Sequence, residues 1–511
     1  MRRTRTSLAS YKCAGLTPLL LGAVAAASLL PSPAMAGEPN PPNIVVVLAD
    51  DLGIGDVHCY DPQRSKIPTP NIDRLARQGM MFTDAHAPCS VCTPSRYGLL
   101  TGRYPWRNGF SSVAPPYADP VIAADRLTLP ALLKQHGYHT ACIGKWHLGW
   151  DWPKREGKPI FDQPIAGGPT ARGFDTYFGT DVPNYPPYTF IENDRVTIQP
   201  TDHFAKNKEM NLGYEGAMAP GWRFDQILPT LAQKAVSYID GQAKSKEPFF
   251  FYFALTTPHE PIAPSKEFEG KSGISGVGDL IMETDWALGQ MMEALARNGL
   301  EKNTLLIFTS DNGHCPYTGI EPFLKVGHRV SGPYRGYKGD ILEGGHRMPF
   351  IARWPGAIKA GSRCGETVNL TDLMATCAEL VGAKLPDTAG EDSVSILPLL
   401  KGSNQPVREA SVYVSGGGVL AIFQGPWKLE FCSGPGGPWT KEPPPPTDAP
   451  TIQLYNLVED PGEMYNLQGQ RPEIVKQLTE LLEKYIAEGR STPGAPQKNG
   501  RPKIAIKRIA R

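Results

Sequence analysis

The sequence predicts an α/β protein: a large mixed, mostly parallel sheet flanked by helices, with a smaller C-terminal antiparallel sheet and helix. Short apolar segments without polar alternation recur along the chain, as expected for strands buried on both faces of a parallel sheet. Helix-like segments separate them, so strands and helices alternate. The chain has 511 residues, 41% of them hydrophobic, and this length accommodates one large domain and a smaller one.

Four buried strands and four helices carry this prediction. The strands are continuous apolar runs over Ile44–Ala49, Thr140–Ile143, Phe249–Leu255 and Thr304–Phe308. The helices are predicted over Ile72–Gln78, Leu129–His136, Asp225–Gln242 and Asp279–Asn298. Three of the four helices stop at a glycine, the residue that most often ends a helix.

The pattern changes near residue 403. Short segments around a Gly-rich turn, Ser411–Val414, Leu420–Phe423 and Trp427–Phe431, predict a small antiparallel sheet, and Pro472–Glu488 predicts a helix. We therefore expect a main domain with the candidate catalytic residues over 37–402, an α+β subdomain over 403–490 and a basic flexible tail over 491–511.

The N-terminal segment, residues 1–36, has the pattern of a signal peptide. Several basic residues precede an apolar run from Leu16 to Leu30, and Ala34-Met35-Ala36 forms a cleavage site. A membrane anchor is the weaker interpretation, because Pro18 and Gly22 interrupt a run that is already short for a span. We expect cleavage near Ala36, export to the periplasm or the medium, and no membrane span in the mature chain.

The charge balance excludes some classes of partner. The chain carries 52 basic and 51 acidic residues, a net charge of +1. It therefore lacks the global positive field with which proteins attract nucleic acid or an anionic membrane. We expect no nucleic-acid partner, and any anionic ligand has to be held locally.

Polar residues follow each of the four predicted strands. The four segments are Asp50-Asp51, Lys145-Trp146-His147, Thr256-Thr257-Pro258-His259 and Asp311-Asn312-Gly313. Open α/β sheets bind ligands outside the carboxyl ends of their strands, so these segments are expected to converge. Carboxylate and amide oxygens at such a site suit calcium or magnesium better than zinc.

The most specific motif is Cys92-Thr93-Pro94-Ser95-Arg96, followed by Tyr97 to Arg103. Pro94 suits the first turn of a helix, which places residue 92 at a helix N-terminus, where an anion is favoured. The motif resembles the signature of the formylglycine-dependent (type I) sulfatases of the alkaline phosphatase-like superfamily. The alternative for an isolated cysteine, an ordinary buried residue, does not account for the five-residue match.

The resemblance extends over nearly the whole mature chain. Further segments similar to that family are Asn43–Gly53, Gly144–Gly149, Pro258–Pro261, Ser310–Gly313, Arg335–Gly339 with Glu343–Gly345, and Leu454–Leu457 with Asp460–Glu463. It implies that Cys92 is oxidised to 3-oxoalanine (formylglycine) by a formylglycine-generating maturation enzyme. It also implies a calcium ion, or magnesium, held by Asp50, Asp51, Asp311 and Asn312, with the modified Cys92 as a further ligand.

The resemblance also implies a reaction and a role for each catalytic residue. A hydroxyl of the hydrated residue 92 attacks sulfur and forms a sulfated enzyme, while His259 protonates the leaving oxygen. Lys145 and Lys338 hold sulfate oxygens. His147 then takes the proton of the second hydroxyl and sulfate is expelled, with Arg96 and Lys145 keeping residue 92 in position.

The substrate is expected to be a sulfated carbohydrate or an aryl sulfate. The segments 150–220 and 314–334 are expected to set specificity, and Trp150, Trp152, Tyr185, Tyr188, Trp222 and Arg329 would suit a sugar ring. We therefore expect a carbohydrate sulfate ester, for example a galactose or N-acetylgalactosamine 6-sulfate. Two alternatives stay open: a formylglycine-dependent phosphonate or phosphate ester hydrolase, and a non-catalytic glycan-binding homologue.

Overall fold

The computed structural model describes residues 41–205, 213–501, 504 and 506. The predicted signal peptide and the end of the predicted basic tail lie outside these residues. The strands are β1 Asn43–Asp50, β2 Met80–Phe82, β3 Ala85–His86, β4 His139–Lys145, β5 Lys154–Arg155, β6 Lys158–Pro159, β7 Thr176–Thr180, β8 Ile191–Glu192, β9 Arg195–Val196, β10 Asp202–Phe204, β11 Gly216–Met218, β12 Phe249–Pro258, β13 Thr304–Ser310, β14 Phe350–Arg353, β15 Ser362–Cys364, β16 Val368–Asn369, β17 Ser411–Val414, β18 Leu420–Gln424, β19 Trp427–Glu430 and β20 Gln453–Asn456. The α-helices are α1 Pro70–Gln78, α2 Cys92–Thr101, α3 Leu129–Gln135, α4 Ile227–Gln242, α5 Gly276–Arg297, α6 Glu321–Lys325, α7 Glu343–His346, α8 Asp372–Leu380, α9 Leu397–Leu400 and α10 Pro472–Glu488.

The main sheet has ten strands in the order β15-β2-β14-β13-β1-β12-β4-β7-β8-β9. Its five central strands, β13, β1, β12, β4 and β7, pair in parallel. Antiparallel pairings β13–β14 and β7–β8 flank this centre. The sheet is thus mixed and mostly parallel, as predicted.

Both faces of this sheet are buried under helices. Alternate residues of β1 point to opposite faces: Val46 and Leu48 belong to one apolar core, and Val45 and Val47 to the other. The first core includes side chains of α2, α3 and α8, and the second includes side chains of α1, α4 and α5. This two-sided burial explains why the central strands are apolar without alternation.

The four predicted strands are confirmed, and each continues beyond the predicted end. Strand β1 runs on to Asp50, β4 to Lys145, β12 to Pro258 and β13 to Ser310. The polar residues near their ends are buried instead of solvated. A prediction that ends each strand where its apolar run ends therefore stops too early. The predicted helices are also confirmed, with ends shifted by up to three residues.

The small C-terminal sheet is antiparallel in the order β17-β18-β19-β20. Helix α10 packs on it through Leu478, Leu482 and Tyr485. The same apolar cluster includes Cys89, Val91, Tyr104 and Trp106 from the sequence around α2. The boundary that we place between residues 402 and 403 stays a prediction.

Part of the predicted flexible tail lies against the rest of the protein. The backbone N–H of Gln497 donates to the Glu488 carbonyl at 2.8 Å, and that of Gly500 donates to the Arg107 carbonyl at 2.9 Å. Arg103 donates from Nη2 to the Lys498 carbonyl at 2.8 Å. Residues 491–501 are therefore held by hydrogen bonds, which the basic composition gave no reason to expect.

A buried ionic cluster joins the small sheet to the main domain. Lys428 of β19 lies 2.7 Å from a carboxylate oxygen of Glu463 and 3.1 Å from oxygens of Glu343 and Glu430, and all four side chains are fully buried. Burial raises the pKa of Glu463 well above its ordinary value, although Lys428 acts in the opposite direction. Lys428 is thus the cation of Glu430 and Glu463, whereas Glu343 also pairs with Arg347, at 2.6 Å.

Replacing Lys428 with methionine is expected to destabilise the protein by about 3–5 kcal/mol, because the buried carboxylates of Glu430 and Glu463 lose their only ion-pair partner within the described residues. Burial already raises the folded-state pKa of Glu463, and removing the Lys428 charge raises it further above the unfolded-state value, so stability is lost as pH rises. The difference from wild type, measured by chemical denaturation, should widen between about pH 5 and about pH 8. Lys476→Met, at an exposed position of α10, is the control and should stay within about 0.5 kcal/mol.

No helix within the described residues is both long enough and apolar enough to cross a bilayer.

Candidate active site

The ends of four neighbouring strands bring the predicted polar residues together. Strands β13, β1, β12 and β4 are consecutive in the sheet, and Asp50 at the end of β1 is in register with Pro258 of β12. Asp311 follows β13 directly, and Lys145 is the last residue of β4. These residues therefore lie at one edge of the sheet, where open α/β proteins bind ligands.

Helix α2 delivers Cys92 to the same edge. The helix begins at Cys92, as Pro94 predicts, and all ten of its residues are buried. The first-turn N–H groups of a helix and its dipole favour negative charge at this position. Burial raises the pKa of the Cys92 thiol, and this outweighs the opposing effect of Lys145 and Lys338. As an unmodified thiol, Cys92 is therefore a poor nucleophile.

His147 contacts Cys92 through one ring nitrogen. Its Nδ1 lies 3.3 Å from the Cys92 sulfur, and its Nε2 lies 3.1 Å from the Ala114 carbonyl oxygen. Because a carbonyl only accepts, Nε2 carries the proton and Nδ1 presents its lone pair to residue 92. Burial and the nearby Lys145 lower the pKa of His147 well below its ordinary value. A neutral imidazole aimed at residue 92 is suited to accept a proton from it.

Each carboxylate at the edge is paired with a cation. Lys145 Nζ lies 2.7 Å from Asp50, and Lys338 Nζ lies 2.7 Å from Asp51. Arg96 Nη2 lies 2.8 Å from Asp311 and 3.5 Å from Asp50. With three carboxylates against three cations and no net charge, a bound divalent metal would make the site positive, which favours an anionic ester.

The crowded charges shift the pKa values of the three carboxyl groups differently. Burial would raise the pKa of Asp50 and Asp51, but nearby cations, Lys145 and Lys338 foremost, lower both values. Burial and the adjacent Asp50 instead raise the pKa of Asp311 to about 7, despite Arg96. Asp311 is thus the carboxylate that gains most from a further positive charge.

The oxygen atoms at this edge fit a hard divalent cation. Oδ1 of Asp50 and Oδ1 of Asn312 are buried, and neither accepts a hydrogen bond within the described residues. Single ligand atoms of Asp50, Cys92 and Asp311 lie within 4.8 Å of one another, as do those of Asp50, Asp51 and His259. Buried acceptors without donors, next to several carboxylates, are the ligand set that calcium or magnesium prefers.

His259 faces this edge from the loop after β12. Its Nδ1 lies 2.6 Å from the Glu260 carbonyl oxygen and therefore donates to it, while Nε2 lies 3.8 Å from an Asp51 oxygen. Burial and Lys145 lower the pKa of His259 to about 4, against the effect of Asp50 and Asp51. Nε2 is thus the atom that can exchange a proton with a bound molecule.

A pocket of roughly 260 Å³ opens over these residues. Its lining includes Cys92, His147, His259 and Lys338. The other lining residues, here called the walls, are mostly aromatic or polar: Val113, Val182, Asn184, Tyr185, Tyr214, Glu260, Tyr317 and Trp439. Tyr317 and Trp439 meet edge to face, with ring centroids 5.6 Å apart, and Lys338 Nζ lies 5.9 Å from the Trp439 ring.

The pocket differs from the sequence-based expectation in its aromatic residues. Trp150, Trp152 and Tyr188 belong to the buried interior, with at most 2% exposure, and of the predicted aromatic set only Tyr185 lines the pocket. Glu260 and Trp439 lie outside both predicted specificity segments. The place of Glu260 in the pocket could have been predicted from its position next to His259. Nothing in the Pro-rich sequence around Trp439 indicates that this residue lines the pocket.

The chain is similar to several known proteins. The profile of the family named Sulfatase matches residues 42–383. An N-acetylgalactosamine-6-O-sulfatase of Bacteroides thetaiotaomicron is 36% identical over 482 residues, which cover 86% of this chain and 92% of that protein. N-acetylgalactosamine-6-sulfatase of Rattus norvegicus is 32% identical, covering 94% and 91%. A solved structure, a 6S-sulf protein from the metabolism of multiple glycosaminoglycans by Bacteroides thetaiotaomicron, superposes with a TM-score of 0.78 at 35% identity and covers 88% of this chain and 100% of that one.

Proposed function

The chain belongs to the sulfatase family and is a sulfuric ester hydrolase, and from this premise we propose that it hydrolyses sulfate monoesters of carbohydrates through a formylglycine derived from Cys92. The observation that carries the proposal is the position of Cys92: it begins a helix at the oxygen-rich edge of the sheet, 3.3 Å from the unprotonated nitrogen of His147. Modification there converts a poor nucleophile into a hydrated aldehyde with two hydroxyl groups. One hydroxyl group can attack sulfur, and the other, by losing its proton, can then expel sulfate from residue 92.

Each residue of the site has a task in this proposal. His147 Nδ1 accepts the proton of the second hydroxyl, which releases sulfate and restores the aldehyde. His259 Nε2 gives a proton to the leaving alcohol, and a bound anionic ester favours the protonated form that this needs. Lys145 and Lys338 are placed to hold sulfate oxygens, and Arg96 fixes Asp311 and the Lys145 carbonyl.

Asp50, Asp51, Asp311 and Asn312, with the modified residue 92, would hold a calcium or magnesium ion. When bound, the cation supplies positive charge that polarises the sulfate ester. The buried acceptors of Asp50 and Asn312 support this ligand set. Maturation by a formylglycine-generating enzyme and export with cleavage near Ala36 belong to the same proposal, and peptide mapping of the mature N-terminus of protein from its host tests the export.

The substrate class is proposed from the relatives and the pocket together. Two relatives are named for action on N-acetylgalactosamine 6-sulfate, and the walls of this pocket combine aromatic rings with hydrogen-bonding groups, a lining typical of sites for small polar ligands. We therefore propose a galactose or N-acetylgalactosamine 6-sulfate as the substrate unit.

The proposal is tested by measuring sulfate release from N-acetylgalactosamine 6-sulfate, galactose 6-sulfate and 4-nitrophenyl sulfate, with 4-nitrophenyl phosphate as the competing ester. We expect a higher kcat/KM for at least one sugar sulfate than for the phosphate. Faster cleavage of the phosphate would favour a phosphate ester hydrolase, and cleavage of the aryl sulfate alone would contradict the carbohydrate substrate. Ligand binding without turnover by protein with formylglycine at position 92 would favour a glycan-binding protein.

Replacing His259 with alanine is expected to harm sugar sulfates more than aryl sulfates. A sugar alcohol is a poor leaving group that needs a proton from Nε2, whereas 4-nitrophenolate leaves without one. We expect kcat for the sugar sulfate to fall by about 10²–10⁴-fold. The fold decrease in kcat for 4-nitrophenyl sulfate should be smaller by a factor of about ten or more. Steady-state kinetics on both substrates check this. Equal losses would show that His259 does not protonate the leaving group.

A further inference from the structure

Asn184 is the wall residue whose hydrogen bonding is incomplete. The side chain is only 3% exposed and lines the pocket with Cys92 and Lys338. Its Nδ2 donates to Oε1 of Glu260 at 2.8 Å, whereas its buried Oδ1 accepts no hydrogen bond within the described residues. A buried acceptor without a donor is costly, and its presence at a binding pocket indicates that a ligand supplies the donor.

The local structure fixes the direction in which this oxygen points. The backbone carbonyl of Asn184 accepts from the Tyr188 hydroxyl at 2.9 Å and from the Tyr214 N–H at 3.0 Å. The contact with Glu260 holds the amide end of the side chain. Both backbone and side chain are therefore held before a ligand arrives, as expected for a residue that recognises one specific group.

The Asn184–Glu260 pair lines the pocket together with His259, the residue proposed to protonate the leaving alcohol. Glu260 directly follows His259, and its carbonyl oxygen lies 2.6 Å from His259 Nδ1. Lys338 and Cys92 line the same pocket. A sulfate group has no hydrogen to donate and is repelled by a carboxylate, so a substituent of the alcohol, and not the sulfate itself, suits the pair.

We propose that the Asn184–Glu260 pair determines specificity by accepting a hydrogen bond from a free hydroxyl group on the sulfated sugar unit. An amide oxygen and a carboxylate only accept, so their partner has to be a donor, and a neutral sugar hydroxyl is one. This inference rests on the proposed carbohydrate substrate. A simple aryl sulfate has no such donor, and a second sulfate group at this position is repelled by the carboxylate of Glu260.

The test compares kcat/KM for N-acetylgalactosamine 6-sulfate with kcat/KM for 4-nitrophenyl sulfate in wild type and in Asn184→Ala. The deciding quantity is the ratio of the two kcat/KM values. A loss of folded enzyme lowers both values equally and leaves their ratio unchanged. We expect this sugar-to-aryl ratio to fall by about 10–100-fold in the variant. Asn43→Ala truncates a buried asparagine at the opposite end of β1 and should leave the ratio unchanged.

A second variant, Glu260→Gln, keeps an oxygen that can accept from the Asn184 amide but removes the negative charge. We expect it to raise kcat/KM for a 4,6-disulfated N-acetylgalactosamine, relative to the 6-sulfate, by about tenfold. It tests the pair even where Asn184→Ala folds poorly.

The outcomes separate this inference from the proposed function. Three results together overturn the role of the pair alone: the wild type is active on sugar sulfates, Asn184→Ala leaves the sugar-to-aryl ratio unchanged, and Glu260→Gln leaves the preference between the disulfate and the 6-sulfate unchanged. A wild type that cleaves only the aryl sulfate contradicts the carbohydrate substrate, and the inference with it.

Discussion

Replacing Cys92 with alanine is expected to lower kcat/KM for any sulfate ester by about 10⁴-fold or more, because the group that attacks sulfur is removed. The remaining lysines, histidines and oxygen ligands can still bind the ester. The variant should therefore retain substrate affinity while turnover disappears. Steady-state kinetics together with equilibrium binding of a sulfated sugar check this separation.

Replacing Cys92 with serine gives a sharper version of the same test. A serine that stays unmodified supplies one hydroxyl group but lacks the second, whose deprotonation by His147 is proposed to expel sulfate. We expect at most one turnover per enzyme, with sulfate left on residue 92 and visible by mass spectrometry. Cys377→Ala, a buried cysteine in α8, is the control and should keep its activity. Sustained turnover by Cys92→Ala would contradict the proposed nucleophile.

Replacing Asp51 with asparagine is expected to lower kcat/KM by about 10³-fold. Asp51 has a backbone φ of 68°, a conformation that asparagine adopts readily, so the backbone should be preserved. The change removes a negative ligand oxygen and leaves Lys338, whose ammonium lies 2.7 Å away, buried without its carboxylate partner. Reduced binding of calcium and misplacement of Lys338 both reduce the stabilisation of the transition state.

Calcium titrations of activity and of intrinsic fluorescence measure the Asp51→Asn effect. The half-saturating calcium concentration should rise together with the loss of kcat. Asp285→Asn, at a buried aspartate of α5 that accepts from the Asn71 and Ile72 N–H groups, is the matched control. It should lower thermal stability but leave the calcium response unchanged. Activity of Asp51→Asn within about tenfold of wild type at saturating calcium would contradict its assignment as a metal ligand.

Much of the fold follows from local patterns. Continuous apolar runs predict the four central strands, because β1, β4, β12 and β13 are buried on both faces. Flanking strands such as β2 and β15 have only three residues each, too few for a recognisable period. Their pairing depends on contacts between residues far apart in sequence.

The candidate site also has a part that local sequence patterns predict and a part that they do not. Residues at strand ends and in the Cys92 motif are predictable, since the sheet brings the carboxyl ends of its strands together and the motif marks a helix start. The individual wall residues are not. Asn184 and Tyr317 lie within the segments expected to set specificity, whereas Trp439 does not, and only the packed structure brings the three into one pocket with Cys92. Aromatic residues such as Trp150 resemble ligand contacts in sequence but fill the core.

The formylglycine at position 92 is tested most directly by peptide mass spectrometry of the Cys92 segment, on protein purified from its own host and shown to release sulfate from an ester. We expect the mass loss of thiol-to-aldehyde conversion at Cys92, at a stoichiometry that tracks specific activity across preparations. A fully active preparation in which Cys92 remains an unmodified thiol would contradict it.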